Sequence, residues 1–141
     1  MAYFDVFNGD ADGICALLQL RQHTPRSATL VTGVKRDIGL LNRVAAASGD
    51  LVTVLDVAVE KNRSALDELL DIGAEVFYVD HHISGELPTA PRLELLINTA
   101  PEVCTCALVN GHLSGAGASW AVVGCFGDNL DETAGRIAQT L

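Results

Sequence analysis

Acidic and imidazole side chains stand at three places where a short apolar run of this sequence ends. The segments are Asn8-Gly-Asp10-Ala-Asp12-Gly13 after Tyr3–Phe7, Asp56 after Leu51–Leu55, and Asp80-His81-His82 after Val76–Val79. Two carboxylates about 4 Å apart repel by roughly 4 kcal/mol at an effective dielectric near 20. A fold that gathers several of them must protonate some or bind cations. Carboxylates with imidazoles suit Mn²⁺, Mg²⁺, Fe²⁺ or Zn²⁺, and the lack of cysteine in these segments argues against a structural zinc site.

Each segment also has a structural interpretation. The pattern Asp-x-Asp-Gly is common in turns and helix caps, so Asp12 could simply cap a helix that begins at Gly13. A single aspartate such as Asp56 at a strand end is weak evidence for function. Adjacent imidazoles at His81 and His82 have little structural purpose at a sheet edge. The three segments together therefore favour a metal site.

The elements that would position these residues follow from two alternating periodicities. Short apolar runs predict strands at Tyr3–Phe7, Thr29–Thr32, Leu51–Leu55, Val76–Val79 and Leu93–Ile97. Helical spacing connects Ile14, Leu17, Leu18 and Arg21, then Ile38, Leu41 and Val44, then Leu66, Leu69 and Leu70. The alternation predicts an α/β fold, a Rossmann-like parallel sheet of about five strands with helices on both faces. Ligands bind such sheets at the carboxyl ends of the strands, so the acidic segments should converge there.

The last third of the chain reads as helical. A helix is predicted from Pro101 to about His112, and a second, rich in small residues, from Ala118 to Cys125 before Gly127. A third helix is predicted from Leu130 and would still be running at Leu141.

Composition limits the classes of protein that fit. The 141 residues suit one domain, and 49% of them are hydrophobic, enough for a real core. No apolar run could span a bilayer and no secretory signal is visible, so we expect a cytoplasmic protein without membrane contact. The net charge of −9 repels nucleic acid at long range. Four cysteines (Cys15, Cys104, Cys106 and Cys125) are expected to be buried structural thiols.

The motifs resemble those of the DHH phosphoesterases, a family that includes RecJ exonucleases, nanoRNases, cyclic-dinucleotide phosphodiesterases and family II pyrophosphatases. Val79-Asp80-His81-His82 resembles the motif that names the family. Phe7-Asn8-Gly9-Asp10-Ala11-Asp12-Gly13 is similar to its first motif, Leu55-Asp56 to its second, and Val123-Gly124-Cys125-Phe126-Gly127-Asp128-Asn129 to its fourth. All four occur in the family's order.

The resemblance implies the metal ligands Asp10, Asp12, Asp56, His81 and Asp128. One ion would be held by Asp12, Asp56, His81 and Asp128, and the second by Asp10 together with Asp56 as the bridging carboxylate. The ions would be Mn²⁺ or Mg²⁺, two in number. The catalytic residues would be Asp56 and His82, with His82 donating to a non-bridging oxygen of the scissile phosphate.

Two departures from the family pattern affect the prediction. Many members carry a histidine where this chain has Val6, which should weaken one metal position or change its preferred ion; Asn8 is a candidate oxygen ligand. The resemblance also implies that residues 1–141 are the catalytic domain, truncated before a smaller C-terminal domain that holds the substrate.

The predicted function is divalent-metal-dependent hydrolysis of a phosphodiester in a short oligonucleotide or dinucleotide. A phosphoanhydride such as pyrophosphate or polyphosphate is the alternative substrate, and a non-catalytic metal- or nucleotide-binding domain is the alternative class. The partner is a phosphate-containing small substrate, with a homodimer left open. Lys35 and Arg36 follow the second predicted strand and are candidates to contact a phosphate.

Overall fold

The computed structural model describes residues 1–34 and 36–141 as five strands and five α-helices in alternation. The strands are β1 Tyr3–Asn8, β2 Thr29–Gly33, β3 Leu51–Leu55, β4 Glu75–Asp80 and β5 Leu93–Ile97. The helices are α1 Ala11–His23, α2 Arg63–Asp71, α3 Thr105–His112, α4 Ala118–Gly127 and α5 Asp131–Ala138. Short 3-10 turns occupy Leu40–Arg43 and Glu60–Asn62.

All five strands are parallel and lie in the order β2-β1-β3-β4-β5. The chain therefore reverses its winding direction between β1 and β3, where such sheets open a crevice at their carboxyl edge. The predicted α/β fold with a five-stranded parallel sheet is confirmed. Among the described residues, no helix combines the length and the apolar character that crossing a membrane requires.

Two cores cover the two faces of the sheet because neighbouring strand residues point to opposite sides. Val6, Val54 and Tyr78 pack with α2 and the 3-10 turns on one face. Phe7 and Val79 pack with α1, α3, α4 and α5 on the other. All four cysteines are free and buried, as predicted.

Helix α1 is tied to strand β1 by a buried ion pair. Asp5 on β1 is almost fully buried, and Arg21 near the end of α1 contacts its two oxygens through Nε and Nη2, both at 2.7 Å. A two-point guanidinium contact satisfies a buried carboxylate that would otherwise be costly. The pair fixes the direction of α1, whose first turn carries Asp12.

Three predicted helix boundaries are wrong. The pattern at Ile38, Leu41 and Val44 gives only a 3-10 turn, because the buried Asn62 side chain binds the Ile38 carbonyl and the Leu41 amide that a longer helix would use. Helix α3 begins at Thr105 rather than at Pro101. Asp12 accepts hydrogen bonds from the amides of Thr105 and Cys106, the first free amides of this helix. The last helix ends at Ala138, before Leu141.

Candidate metal centre

His81 lies at the centre of a group of carboxylates at the carboxyl edge of the sheet. Its Nε2 is 3.1 Å from Asp56 Oδ1, 3.4 Å from Asp128 Oδ2 and 3.5 Å from Asp12 Oδ2. Asp12 lies in the first turn of α1, and Asp56, His81 and Asp128 directly follow β3, β4 and α4. Distant parts of the chain therefore meet at one imidazole nitrogen. The predicted convergence of Asp12, Asp56, His81 and Asp128 is present in the structure.

Asp56 is held in a backbone conformation that residues with side chains rarely adopt. Its φ is +63°, its side chain is nearly inaccessible to solvent, and its amide donates to the Val79 carbonyl at 3.0 Å. Left-handed positions outside glycine cost free energy and cluster at functional sites. The turn after β3 thus directs a carboxylate into the group, where the Thr105 hydroxyl donates to Asp56 Oδ1 at 3.1 Å.

The electrostatics of this buried pair favour retention of a proton in the absence of metal. Burial raises the pKa of Asp56 to about 7, helped by the negative charges of Asp12 and Asp10 and opposed by the hydrogen bond with His81. Burial lowers the pKa of His81, but the hydrogen bond with Asp56 and the charges of Asp56, Asp12 and Asp128 raise it to about 9. A divalent cation would replace that proton.

Asp12 performs a structural role as well. Its two oxygens accept the backbone amides of Thr105 and Cys106 at 3.0 and 2.8 Å, so it caps α3 rather than the helix on which it lies. Asp12 Oδ2 also lies 3.5 Å from His81 Nε2. The sequence also allowed Asp12 to cap the helix that begins at Gly13. That cap is Asp10 instead, whose Oδ1 accepts a hydrogen bond from the Gly13 amide at 3.0 Å.

Asp10 lies beside the group without entering it. Two clusters of candidate ligands occur among the described residues, one of Asp12, His81 and Asp128 and one of Asp56, Asp80, His81 and His82. Neither contains Asp10, although its charge reaches Asp56. The resemblance assigns the second ion to Asp10 and Asp56. These two side chains are less well arranged to hold an ion than the four residues assigned to the first.

His82 is oriented by a buried carboxylate. Its Nδ1 lies 2.6 Å from Asp80 Oδ1 and 4.0 Å from Asp56 Oδ1. The hydrogen bond with Asp80 raises the pKa of His82, burial opposes it, and the charges of Asp80 and Asp56 add to the rise. A carboxylate on one ring nitrogen fixes the orientation of the imidazole and leaves the other nitrogen for a ligand.

The geometry and the donor set fit a divalent cation. Bonds of about 2.0–2.2 Å from one ion to each ligand place neighbouring ligand atoms roughly 3.0–3.5 Å apart, which matches the separations around His81 Nε2. Two buried acceptors, Asp80 Oδ2 and Asn8 Oδ1, have no hydrogen-bond partner in the described part of the chain. Such acceptors are compensated by donors, waters or ions in most proteins.

Glycines allow the backbone to come this close. A Cβ on Gly13 would collide with the carbonyl of Asn8, so α1 can begin directly behind the end of β1 only with glycine there. A Cβ on Gly124 would collide with Cys106 Sγ, which sets the approach of α4 to α3. These two contacts position Asp12 and Asp128.

The sequence also drew attention to Val6, Lys35 and Arg36. Val6 is fully buried in the core of the first face, so it offers nothing to the site. Arg36 is exposed in a turn, and Lys35 lies outside the described residues. Sequence reasoning gave no role to Asp80 or Thr105. The position of Asp80 at the end of a buried strand was an available signal, whereas Thr105 was placed inside a helix that was predicted to start too early.

Comparisons with known proteins agree with this architecture. A sequence model of the DHH family, N-terminal domain, matches residues 4–129, and no match was found among curated protein sequences. A crystal structure of exonuclease RecJ bound to manganese matches with a TM-score of 0.59 and 18% identity, over 96% of this chain and 42% of that one. A crystal structure of RecJ from Thermus thermophilus in complex with Mn²⁺ gives 0.59 and 19%, over 96% of this chain and 24% of that one.

The chain thus spans less than half the length of these two proteins. Identities this low show a shared fold, and the match of the family model over nearly the whole chain shows the family. By its sequence and its fold, the chain belongs to the DHH family.

Proposed function

We propose that this domain catalyses divalent-metal-dependent hydrolysis of a phosphodiester in a short oligonucleotide or dinucleotide. The observation that carries the proposal is the convergence of three carboxylates on His81 Nε2, with separations that suit a single ion. The manganese bound by the two RecJ structures supports Mn²⁺ as the ion.

Asp12, Asp56, His81 and Asp128 would hold the first ion, and Asp56 with Asp10 a second. Bound there, divalent cations polarise a phosphate and lower the pKa of water. The protein's own residues supply the rest. Asp80 fixes the His82 ring, so that its free nitrogen can donate to a phosphate oxygen as charge develops, and the Thr105 hydroxyl holds Asp56 in place.

A cavity beside the site favours a nucleoside over inorganic phosphate. It has a volume of about 220 Å³ and shares Asp56 and His82 with the metal cluster. Ile38, Leu40 and Val57 line it, with Lys61 also present. Apolar walls suit the ring of a nucleoside next to the scissile phosphate, whereas a second phosphate group would lose hydration against them.

The experiment is a hydrolysis assay with a dinucleotide phosphodiester and with pyrophosphate, in Mn²⁺ and in chelator. We expect Mn²⁺-dependent cleavage of the dinucleotide in preference to pyrophosphate. With 9 basic residues against 18 acidic ones, the domain offers few contacts to hold a polyanion, so we expect slow turnover. A longer chain that carries a C-terminal substrate-binding domain should be faster, because remote binding energy positions the reacting group.

His82→Gln should lower kcat by roughly 100-fold or more if His82 steadies the transition state. The control, Asp71→Asn, changes an exposed side chain at the end of α2 and should leave the rate unchanged. Preferential cleavage of pyrophosphate would favour the phosphoanhydride alternative. Mn²⁺ binding without turnover of either substrate by both chains would identify a non-catalytic binding domain.

A further inference from the structure

A second cavity opens at the edge of the sheet opposite the metal centre. Helix α1 starts at the carboxyl edge, so its last residues lie at the amino edge, where they line a cavity of about 340 Å³ with the end of α3 and with Phe77 of β4. Neither His81 nor any of the three carboxylates around its Nε2 lines this cavity. The proposed hydrolysis assigns it no role.

The charge of this cavity is opposite to that of the whole chain. Its lining includes Arg21, Arg26, His23 and His112, half of the four histidines in the sequence. No aspartate or glutamate is among the described residues that line it. The chain as a whole has twice as many acidic as basic residues, so a cavity lined, among the described residues, by two arginines and no carboxylate favours an anion.

The two arginines are not equivalent. Arg21 is neutralised by its two contacts with Asp5. Arg26 lies over the ring of Tyr3, with Cζ 4.7 Å from the ring centroid, and it forms no ion pair with a carboxylate in the described part of the chain. Its Nε is buried and has no hydrogen-bond partner there. A guanidinium stacked on an aromatic ring is held in place, and an unpaired buried donor requires an acceptor.

The rest of the lining suits a planar ring. Phe77 and His112 form a tilted aromatic pair with centroids 5.0 Å apart, and Leu20 and Leu113 add apolar surface. The hydroxyls of Thr24 and Ser114 also line the cavity. Aromatic side chains stack on nucleobases of any sequence, and hydroxyls beside a guanidinium are common phosphate donors.

We propose that this cavity is a second binding site, separate from the metal centre, for a nucleotide. The phosphate pairs with Arg26 and with the hydroxyls of Thr24 and Ser114, and the base lies against Phe77 and His112. The proposal does not depend on the hydrolytic activity, because the two sites lie at opposite edges of the sheet.

The test is calorimetric titration of the chelator-treated protein with AMP, inorganic phosphate and adenosine. Chelator keeps the metal centre out of the measurement. We expect AMP to bind more tightly than phosphate or adenosine, because only AMP engages both the cation and the aromatic pair. Arg26→Gln should weaken AMP binding by at least about tenfold. Arg136→Gln on α5, the matched control, should leave it unchanged, as should Asp56→Asn.

His112→Ala provides a second variant that removes an exposed side chain and leaves the fold in place, and it should weaken AMP binding without affecting phosphate. Circular dichroism melts of all variants would identify any loss of folding. Equal affinity for AMP and phosphate would overturn the nucleotide assignment. Absence of AMP binding at millimolar concentration, or binding unaffected by both Arg26→Gln and His112→Ala, would overturn the site.

Discussion

At the scale of single residues, Asp56 does most to define the candidate site. It is buried, it has a positive φ, and it contacts both His81 and Thr105. Asparagine also tolerates positive φ, so Asp56→Asn removes the charge while keeping the backbone turn. This makes the substitution a selective probe of the charge at the site.

We predict that Asp56→Asn abolishes most of the stabilisation by Mn²⁺. Binding to the native state should stabilise the parent by about 2.7 kcal/mol at one hundred times the dissociation constant, which thermal melts with and without Mn²⁺ would measure. Without metal, the variant should be as stable as the parent or more so, because repulsion with Asp12 is removed. The control Asp71→Asn, an exposed carboxylate at the end of α2, should respond to Mn²⁺ like the parent. An unchanged response in Asp56→Asn would contradict the assignment.

The raised pKa values of His81 and Asp56 predict that the stability of the metal-free protein depends on pH. Both pKa values are raised on folding, from 6.5 to about 9 for His81 and from 3.8 to about 7 for Asp56, so the folded protein binds more protons than the unfolded chain. The metal-free protein should therefore lose stability as pH rises from about 4, the pKa of an unfolded aspartate, to about 9, the pKa of His81 in the folded protein. Ligands must be deprotonated to bind metal, so apparent Mn²⁺ affinity should rise over the same range. Denaturant melts and titrations at several pH values test this, and a metal-free stability that increases toward pH 9 would contradict it.

The meeting of Asp12, Asp56 and His81 at one edge of the sheet could be predicted because each comes after a strand whose period is readable. Asp128 was indicated only by the resemblance to the DHH motifs, and the role of all four as metal ligands stays a prediction. Asp80 was visible but had no assigned role, since the motif alone does not show that His82 Nδ1 turns back toward it. The role of Asp12 as the cap of α3 depends on a contact with a residue 93 positions away. Local patterns carry no information on contacts at that distance.

At the scale of elements, the strands were predictable and several helix ends were not. A run of buried valines and leucines determines a strand by itself, as in β3 and β4. The turn at Leu40–Arg43 and the start of α3 depend instead on side chains from elsewhere, Asn62 and Asp12. Tertiary contacts override local propensity at such ends.

Two helical glycines, Gly124 and Gly135, should respond in opposite ways to substitution by alanine. Gly124→Ala places a Cβ against Cys106 Sγ, and such overpacking costs about 1–3 kcal/mol of unfolding free energy. Gly135→Ala on α5 meets nothing within 4 Å and should stabilise by up to about 1 kcal/mol through helix propensity. Denaturant unfolding of both variants checks the pair. Adding Cys106→Ala to Gly124→Ala should recover part of the loss, and a stabilising Gly124→Ala would show that the two helices are not in close contact.

At the scale of the whole molecule, the fold separates two kinds of surface. Carboxylates gather at the carboxyl edge, while cationic and aromatic side chains line the cavity at the amino edge. An overall charge of −9 describes neither. Such a separation would let an acidic domain bind the proposed metal ions at one edge and the proposed nucleotide at the other.

We propose that the carboxyl edge of the sheet binds divalent metal. The most direct measurement is anomalous scattering from crystals soaked in Mn²⁺. We predict one strong peak bonded to Asp12, Asp56, His81 and Asp128, and a weaker second peak near Asp10 and Asp56, where Val6 supplies no imidazole. A map without a peak at His81 Nε2, in crystals that take up Mn²⁺ elsewhere, would contradict the account.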